Sequence, residues 1–270
     1  SSNALSDLDD SFAVLHHLEK IDLSNNNLRQ INCGFSNFKR LKYLDLSNNN
    51  LTTLQALPPT ISYLNLSGNP WTCSPTLSWL SPWSLGLSSS LRAQLDLVQC
   101  NLINSHQVLP LLQVMKYYTN TVNPFCPERC SCYFYHFSSR LDTSPSYTVL
   151  VNCSMQGLTT FPTLPPNTTI VDLSHNNLSD SSFSSLSLTP QNYDQVTGLI
   201  LSHNQLTNIH TKLTKMRLHR VFKADHNQIT EIPYDFSLLL QSFAKTKITL
   251  GHNQWQCRCN AEIFNLIIFL

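Results

Sequence analysis

The sequence predicts an α/β solenoid: two short blocks of a strand-and-turn repeat, separated by back-to-back cysteine-rich caps. Three observations predict it. A spacing of the form LxxLxLxxNxL returns seven times in one register, in two sets separated by about 100 residues. Nine cysteines occur in 270 residues, most of them between or just after those sets. Charged residues make up only 12% of the chain, against ~25% in ordinary globular proteins.

The repeats come first. The pattern appears as Leu18-Ile21-Leu23-Asn26-Leu28, Leu41-Leu44-Leu46-Asn49-Leu51 and Ile61-Leu64-Leu66-Asn69-Trp71. It returns as Val171-Leu173-Asn176-Leu178, Leu199-Leu201-Asn204-Leu206, Phe222-Ala224-Asn227-Ile229 and Ile248-Leu250-Asn253-Trp255. Asn26, Asn49 and Asn69 recur at roughly 20-residue intervals, within the period of leucine-rich repeats. The Leu-x-Leu alternation predicts a short strand with both leucines inward and the intervening residue on the concave side. The asparagine turns the chain away, its amide supplying donors and acceptors for backbone groups that the bend would bury. Stacking then covers each coil's apolar edge with its neighbour.

Composition removes several function classes. Lys+Arg 17 nearly balances Asp+Glu 16, so no basic field exists for nucleic acid and no polybasic run for an anionic membrane. Hydrophobic content of 41% argues against disorder. There is no GxSxG, glycine-rich phosphate loop or HExxH, and only six glycines, so the expectation is a non-enzyme without cofactor. The cysteine density fits an oxidising compartment. No signal peptide is visible at SSNALSDLDD, and the longest apolar stretch, Ile263 to Leu270, is far below the ~20 residues of a membrane span.

The cysteines locate the caps. Asn69-Pro70-Trp71-Thr72-Cys73 leads through Leu77, Trp79, Leu80 and Trp83 to Cys100, and Val108 to Asn120 reads as an approach segment and capping helix packed through Leu112, Val114 and Met115. Then Cys126-Pro127-Glu128-Arg129-Cys130-Ser131-Cys132 leads to Cys153, followed by Leu158, Phe161-Pro162 and Leu164-Pro165. Four cysteines alone permit three connectivities. At the far end, Asn253-Gln254-Trp255-Gln256-Cys257-Arg258-Cys259 opens another cap. The predicted organisation is a first repeat block at 1–68, a C-terminal-type cap at 69–125, an N-terminal-type cap at 126–165, a second block at 166–252 and the start of a further cap at 253–270. The expectation is a fragment at both ends, with Cys33 a lone thiol.

These caps resemble those of extracellular leucine-rich repeat proteins, where the C-terminal cap usually reads NPWxCxC; here Ser74-Pro75 follows Cys73, and the second cysteine is missing. The resemblance implies one disulfide there, Cys73 with Cys100. In the N-terminal cap it implies Cys126 with Cys132 and Cys130 with Cys153, and it leaves Cys257 and Cys259 with partners outside the sequence. The cap order resembles the membrane-proximal part of insect Toll-type receptors. The stretch from Cys126 to Ser179, with Cys100, Leu102 and Leu109 to Met115 before it, is closer to the insect Halfway (Singed wings 2) family of extracellular leucine-rich repeat proteins. That resemblance implies a secreted or cell-surface, non-catalytic protein of developmental signalling, linked to the moulting-hormone (ecdysone) programme. The alternative is a fragment of a Toll-type receptor ectodomain.

Candidate sites follow from register. His175, His203, His226 and His252 each precede a repeat asparagine, so their rings form a ladder on the concave rim. Such a ladder could hold zinc or copper, or repel itself once protonated below pH ~6.5. SHN is also common spelling for this turn, and Asn25, Asn48 and Gly68 stand there in the first block; the passive turn outweighs the metal site. The strands' outward residues predict the partner-binding surface, with Lys42, Tyr43, Asp45 and Tyr63 as its anchors in the first block, for an unidentified protein ligand or co-receptor. Sequons fall at Asn50, Asn65, Asn152, Asn167 and Asn177; Asn167 is the strongest, and Asn65 points to the concave side. Two Ser-rich insertions remain. Tyr133 to Thr148 reads as a hairpin or loop whose aromatics cover the junction between blocks, and Ser181 to Tyr193 as a bulge on the convex arc.

Overall fold

The computed structural model describes residues 5–8, 10–103, 107–138, 145–189, 192–233 and 247–256. The chain forms a leucine-rich repeat solenoid in two compact units, Ser1–Pro124 with Tyr133–His136, and Phe125–Cys132 with Phe137–Leu270. No helix among the described residues is long and apolar enough to cross a membrane.

The first unit opens with β1 (Asp7–Leu8) and continues through β2 (Lys20–Asp22), β3 (Gln30–Ile31), β4 (Tyr43–Asp45) and β5 (Tyr63–Asn65). β1 and β3 form a separate parallel pair, whereas β2, β4 and β5 form a parallel sheet in order. Each of these three strands is three residues long and centred on the first apolar residue of its Leu-x-Leu pair. Ile21, Leu44 and Leu64 are in register and buried. The Trp71 indole closes the last coil by donating to the Leu66 carbonyl at 2.8 Å. Two helices that leucine spacing did not signal follow, α1 (Leu80–Ser84) and α2 (Ser89–Asp96). The antiparallel pair β6 (Gln99–Asn101) and β7 (Val108–Pro110) then leads into α3 (Leu111–Thr121). Leu112, Val114 and Met115 of α3 are buried as their spacing predicts, and so are Leu111 and Tyr118.

The second unit is organised by the sheet strands β9 (Ser146–Asn152), β10 (Thr168–Asp172), β11 (Gly198–Ile200), β12 (Val221–Lys223) and β13 (Lys247–Thr249); β8 (Ser131–Ser138) falls partly in each unit, Tyr133–His136 being grouped with the first. β9 to β13 are parallel neighbours in chain order. The aromatic insertion is therefore strand rather than loose loop over its described parts. Phe134 and Phe137 are buried, while Tyr133 and Tyr135 are half-buried. The other Ser-rich insertion, described up to 189 and from 192, is anchored by apolar side chains. Phe183, Leu186 and Tyr193 turn inward, and Phe161 packs on Phe183 at 5.0 Å and edge-on to Tyr193 at 5.7 Å.

The asparagines tie the coils together. Asn49 Nδ2 donates to the carbonyls of Leu46 and Ser47 in its own turn and of Leu23 in the preceding repeat, while its Oδ1 accepts from Leu28 N. Asn204 does the same with Leu201, Ser202, Leu173 and Leu178. One buried side chain thus serves four backbone groups; the Leu23 and Leu46 carbonyls are shared with Asn26 and Asn69, and a group left wholly unpaired would cost ~1–3 kcal/mol.

Candidate functional site

Beside each ladder asparagine the backbone enters the left-handed region, with φ of 53° to 57° at Asn25, Asn48, His175, His203, His226 and His252, and 67° at Gly68. Asparagine, histidine and glycine tolerate that region better than most residues, which explains the spelling of the turn. Gly68 also stands there because a Cβ would lie 2.2 Å from Asn48 Oδ1. Met155 has the same conformation, φ 60°, and its N–H donates to Ser174 as His175 N–H donates to Ser202. β9, with Val151 opposite Val171 and Asn152 opposite Asp172, is accordingly a repeat strand within the cap. Aligning VNCSMQGL with VDLSHNNL carries that signal in the sequence.

On the first unit's sheet, Tyr43 and Tyr63 are register partners with rings 4.3 Å apart and within 3° of parallel. Lys20 extends the column from the next strand, its Nζ 4.4 Å from the Tyr43 ring centre. Three adjacent strands thus supply a cation and two rings. Lys42 Nζ lies 3.3 Å from Glu19 Oε2 with both side chains about 60% exposed, a pair worth ~0–1 kcal/mol. Asp45 does not belong to an accessible contact surface. It is buried, and its carboxylate accepts from Ser47 N, Ser47 Oγ and Asn65 Nδ2, so it shapes the strand end.

On the second unit the four imidazoles stack face to face. Successive ring centres are 4.0, 4.1 and 4.1 Å apart, with planes within 8° to 12° of parallel, and all four side chains are exposed. Parallel rings set their nitrogens side by side rather than around a common point, as a metal shell requires. Among the described residues no three His, Cys, Asp or Glu side chains converge on a metal position. Partial loss of water and the neighbouring His175 and His226 charges hold His203 below the ordinary imidazole value, against the pull of Asp225. An open groove of about 360 Å³ runs along the stack, lined also by Asp172, Ile200, Lys223 and Asp225.

Asp225 departs from the repeat plan. Elsewhere an Asp between the two leucines accepts from the Ser two places on, as Asp22 does from Ser24 and Asp172 from Ser174. In β11 that place is Ile200 and in β12 it is Lys223, while Asp225 occupies the serine position. Its carboxylate instead receives Ser202 Oγ from the preceding repeat, and Thr249 Oγ1 and Gly251 N from the following one. Burial pushes this carboxyl up, but those hydrogen bonds outweigh it and leave it below the usual range.

The cysteines and sequons fall as follows. Disulfides join Cys73 to Cys100, Cys126 to Cys132 and Cys130 to Cys153, with Cα separations of 5.1, 5.9 and 4.4 Å. Cys33 is buried and in none of them; Cys257 and Cys259 lie outside the described residues. Asn50, Asn167 and Asn177 are exposed. Asn152 is half-buried, its Oδ1 accepting from Ser154 N. Asn65 Nδ2 is engaged with Asp45, and its Oδ1 accepts from Ser67.

The repeats are also recognised by comparison. A family model described as Leucine rich repeat matches residues 1–51, and another of the same description residues 40–64. No curated protein sequence matches the chain. Among solved structures it is similar to Toll of Drosophila in its complex with Spatzle, at 20% identity over 93% of this chain and 34% of Toll, with a TM-score of 0.40. Similarity to YopM of Yersinia enterocolitica is 22% over 95% of this chain and 42% of that one, TM-score 0.26. For InlJ of Listeria monocytogenes it is 19% over 93% and 47%, TM-score 0.24. The chain thus spans about a third of the Toll chain and under half of the other two.

Proposed function

We propose that the chain is a non-catalytic extracellular leucine-rich repeat protein whose sheet faces receive a protein ligand or co-receptor. The Lys20–Tyr43–Tyr63 column supports this most directly. It places two ordered, half-buried tyrosines on the outer face of a sheet, and tyrosine is enriched at the centres of protein interfaces. Three disulfides in the caps support an oxidising, extracellular location. The five-segment organisation, the kinship with the Halfway family and its developmental, moulting-hormone role belong to the same proposal. So do glycans at Asn50, Asn167 and Asn177, in preference to Asn65 and Asn152. The succession of the Cys73–Cys100 cap and the Cys126–Cys153 cap also favours the Toll-type alternative; a ~20-residue apolar span and a signalling domain in the complete reading frame would establish it.

The test uses the full chain secreted from insect cells, multimerised and screened against a panel of extracellular domains. Tyr43→Ala and Tyr63→Ala are expected to weaken the partner at least tenfold without changing the melting curve. Undiminished binding by both variants, or no partner for a well-folded secreted protein, overturns the reading. Intact mass before and after glycosidase checks the three exposed sequons.

A further inference from the structure

We propose that the histidine stack and the groove along it form an acid-dependent docking site for an acidic polypeptide segment. This rests on the reading above that sheet faces receive partners, and adds the chemistry of one of them.

The argument begins with what the stack leaves accessible. With ring faces covered by one another at 4.0 to 4.1 Å, the interior members His203 and His226 offer solvent mainly their edges, which carry the nitrogens. Around them β10 contributes Asp172, β11 the uncharged Ile200, and β12 and its turn Lys223 and Asp225; Lys247 lies at the start of β13. With neutral rings, two carboxylates in the groove lining face one ammonium, so the groove is net negative. Protonated imidazoles would make it net positive even though the hydrogen bonds to Asp225 favour its ionised form, since four added positive charges exceed the two carboxylates.

His203 in the middle of the column resists taking up a proton, since charges on His175 and His226 about 4 Å away repel it even in water. A row of carboxylates across the ring edges would remove that repulsion. Binding and protonation therefore favour each other, as linkage requires. The length suits a chain rather than a small anion: three steps of about 4 Å equal roughly four residues of extended polypeptide at ~3.3 Å each. The lining distinguishes the kind of chain. Ile200 can take an apolar side chain, and the Asp172 oxygen not engaged by Ser174 can accept a backbone N–H. A sulfated polysaccharide offers no apolar side chain for Ile200.

The first unit supplies the control, since Asn25 and Asn48 occupy the same backbone conformation, with Asn48 Nδ2 donating to Asn25 Oδ1 at 3.1 Å. His→Asn substitutions therefore keep the turn and remove the titration. The experiment measures binding of a labelled Glu/Asp-rich 12-residue peptide to the full chain at pH 7.5 and 5.5, at constant ionic strength. Calorimetry in buffers of different ionisation enthalpy counts protons, and heparin serves as comparator. Glutamate, with its ordinary value near 4.3, stays ionised at both pH values. We expect at least tenfold tighter binding at pH 5.5, uptake of more than one proton, and loss of both in the variant with His175, His203, His226 and His252 all changed to Asn. His203→Asn alone, which interrupts the stack, should show an intermediate effect if the fourfold variant fails to fold. Equal affinity at both pH values, full binding by the Asn variants, or tighter binding of heparin than of the peptide overturns the proposal. Tyr43→Ala should leave peptide binding intact, so failure here and failure of the tyrosine surface are separate results.

Discussion

At one backbone position the two units solve the same conformational problem with different chemistry. Each repeat holds the residue before its ladder asparagine in the left-handed region. The first unit fills it with Asn25 and Asn48, joined by a side-chain hydrogen bond, and with Gly68, where an added Cβ would press on the Asn48 side chain. The second fills it with four stacked imidazoles following Met155. The asparagine ladder beneath is common to both. Backbone geometry therefore restricts the choice to a few residue types, and the choice among them decides whether the rim responds to pH.

The largest expected effect tests what is shared. Asn49→Ala and Asn204→Ala each remove three donated bonds and one accepted bond in buried surroundings, and each should cost about 3 kcal/mol or more. Hydrogen exchange in the respective unit reads this; markedly unequal losses would break the equivalence of the two ladders. Next, Cys73→Ser with Cys100→Ser and Cys130→Ser with Cys153→Ser open loops with sequence separations of 27 and 23. Each pair should lower the stability of its own unit by about 3 kcal/mol, measured by denaturant unfolding.

The difference between the units appears in the pH profile. Because His203 is held below its unfolded value, the unfolded chain binds more protons between the folded value and about 6.5. The second unit's stability should therefore be complete above that pH and fall as pH drops through the folded value. The fourfold Asn variant and the first unit should stay flat there. At lower pH the first unit should begin to weaken as Asp22 becomes protonated, and the second should weaken further as Asp180 and Asp225 do, all three being held below the carboxylate range. Melting temperatures at half-unit pH steps check this, and a parallel fall of wild type and Asn variant near pH 6 would remove the histidines from the account. The smallest effect is Glu19→Gln, which should change stability by less than ~0.5 kcal/mol, since the pair with Lys42 is largely exposed.

Much of this architecture was legible because each repeat feature is local. Leu44 and Leu46 face inward by alternation, and Asn49 marks the turn by its position. The helices α1 and α2 were not legible, because α1 is only five residues long and contains Pro82, and α2 buries just Leu91 and Leu95. The stacking register of the histidines could be read from their spacing, whereas the reason for histidine there needed the positive φ. Asp45 looked like a surface charge until its three hydrogen bonds were seen. Met155 was hidden because its repeat carries Cys153 where most others carry leucine and Gln156 where they carry asparagine.

Repeat arrays grow and shrink by recombination, which works best when any unit can follow any other. Asp225 takes part of the second unit out of that exchange. Its carboxylate is matched to a hydroxyl one repeat earlier and to a hydroxyl and an amide one repeat later. A duplicated or deleted copy of residues 221–246 would leave donors facing the wrong neighbour. The order of these three repeats is thus constrained in a way their shared leucines would never require.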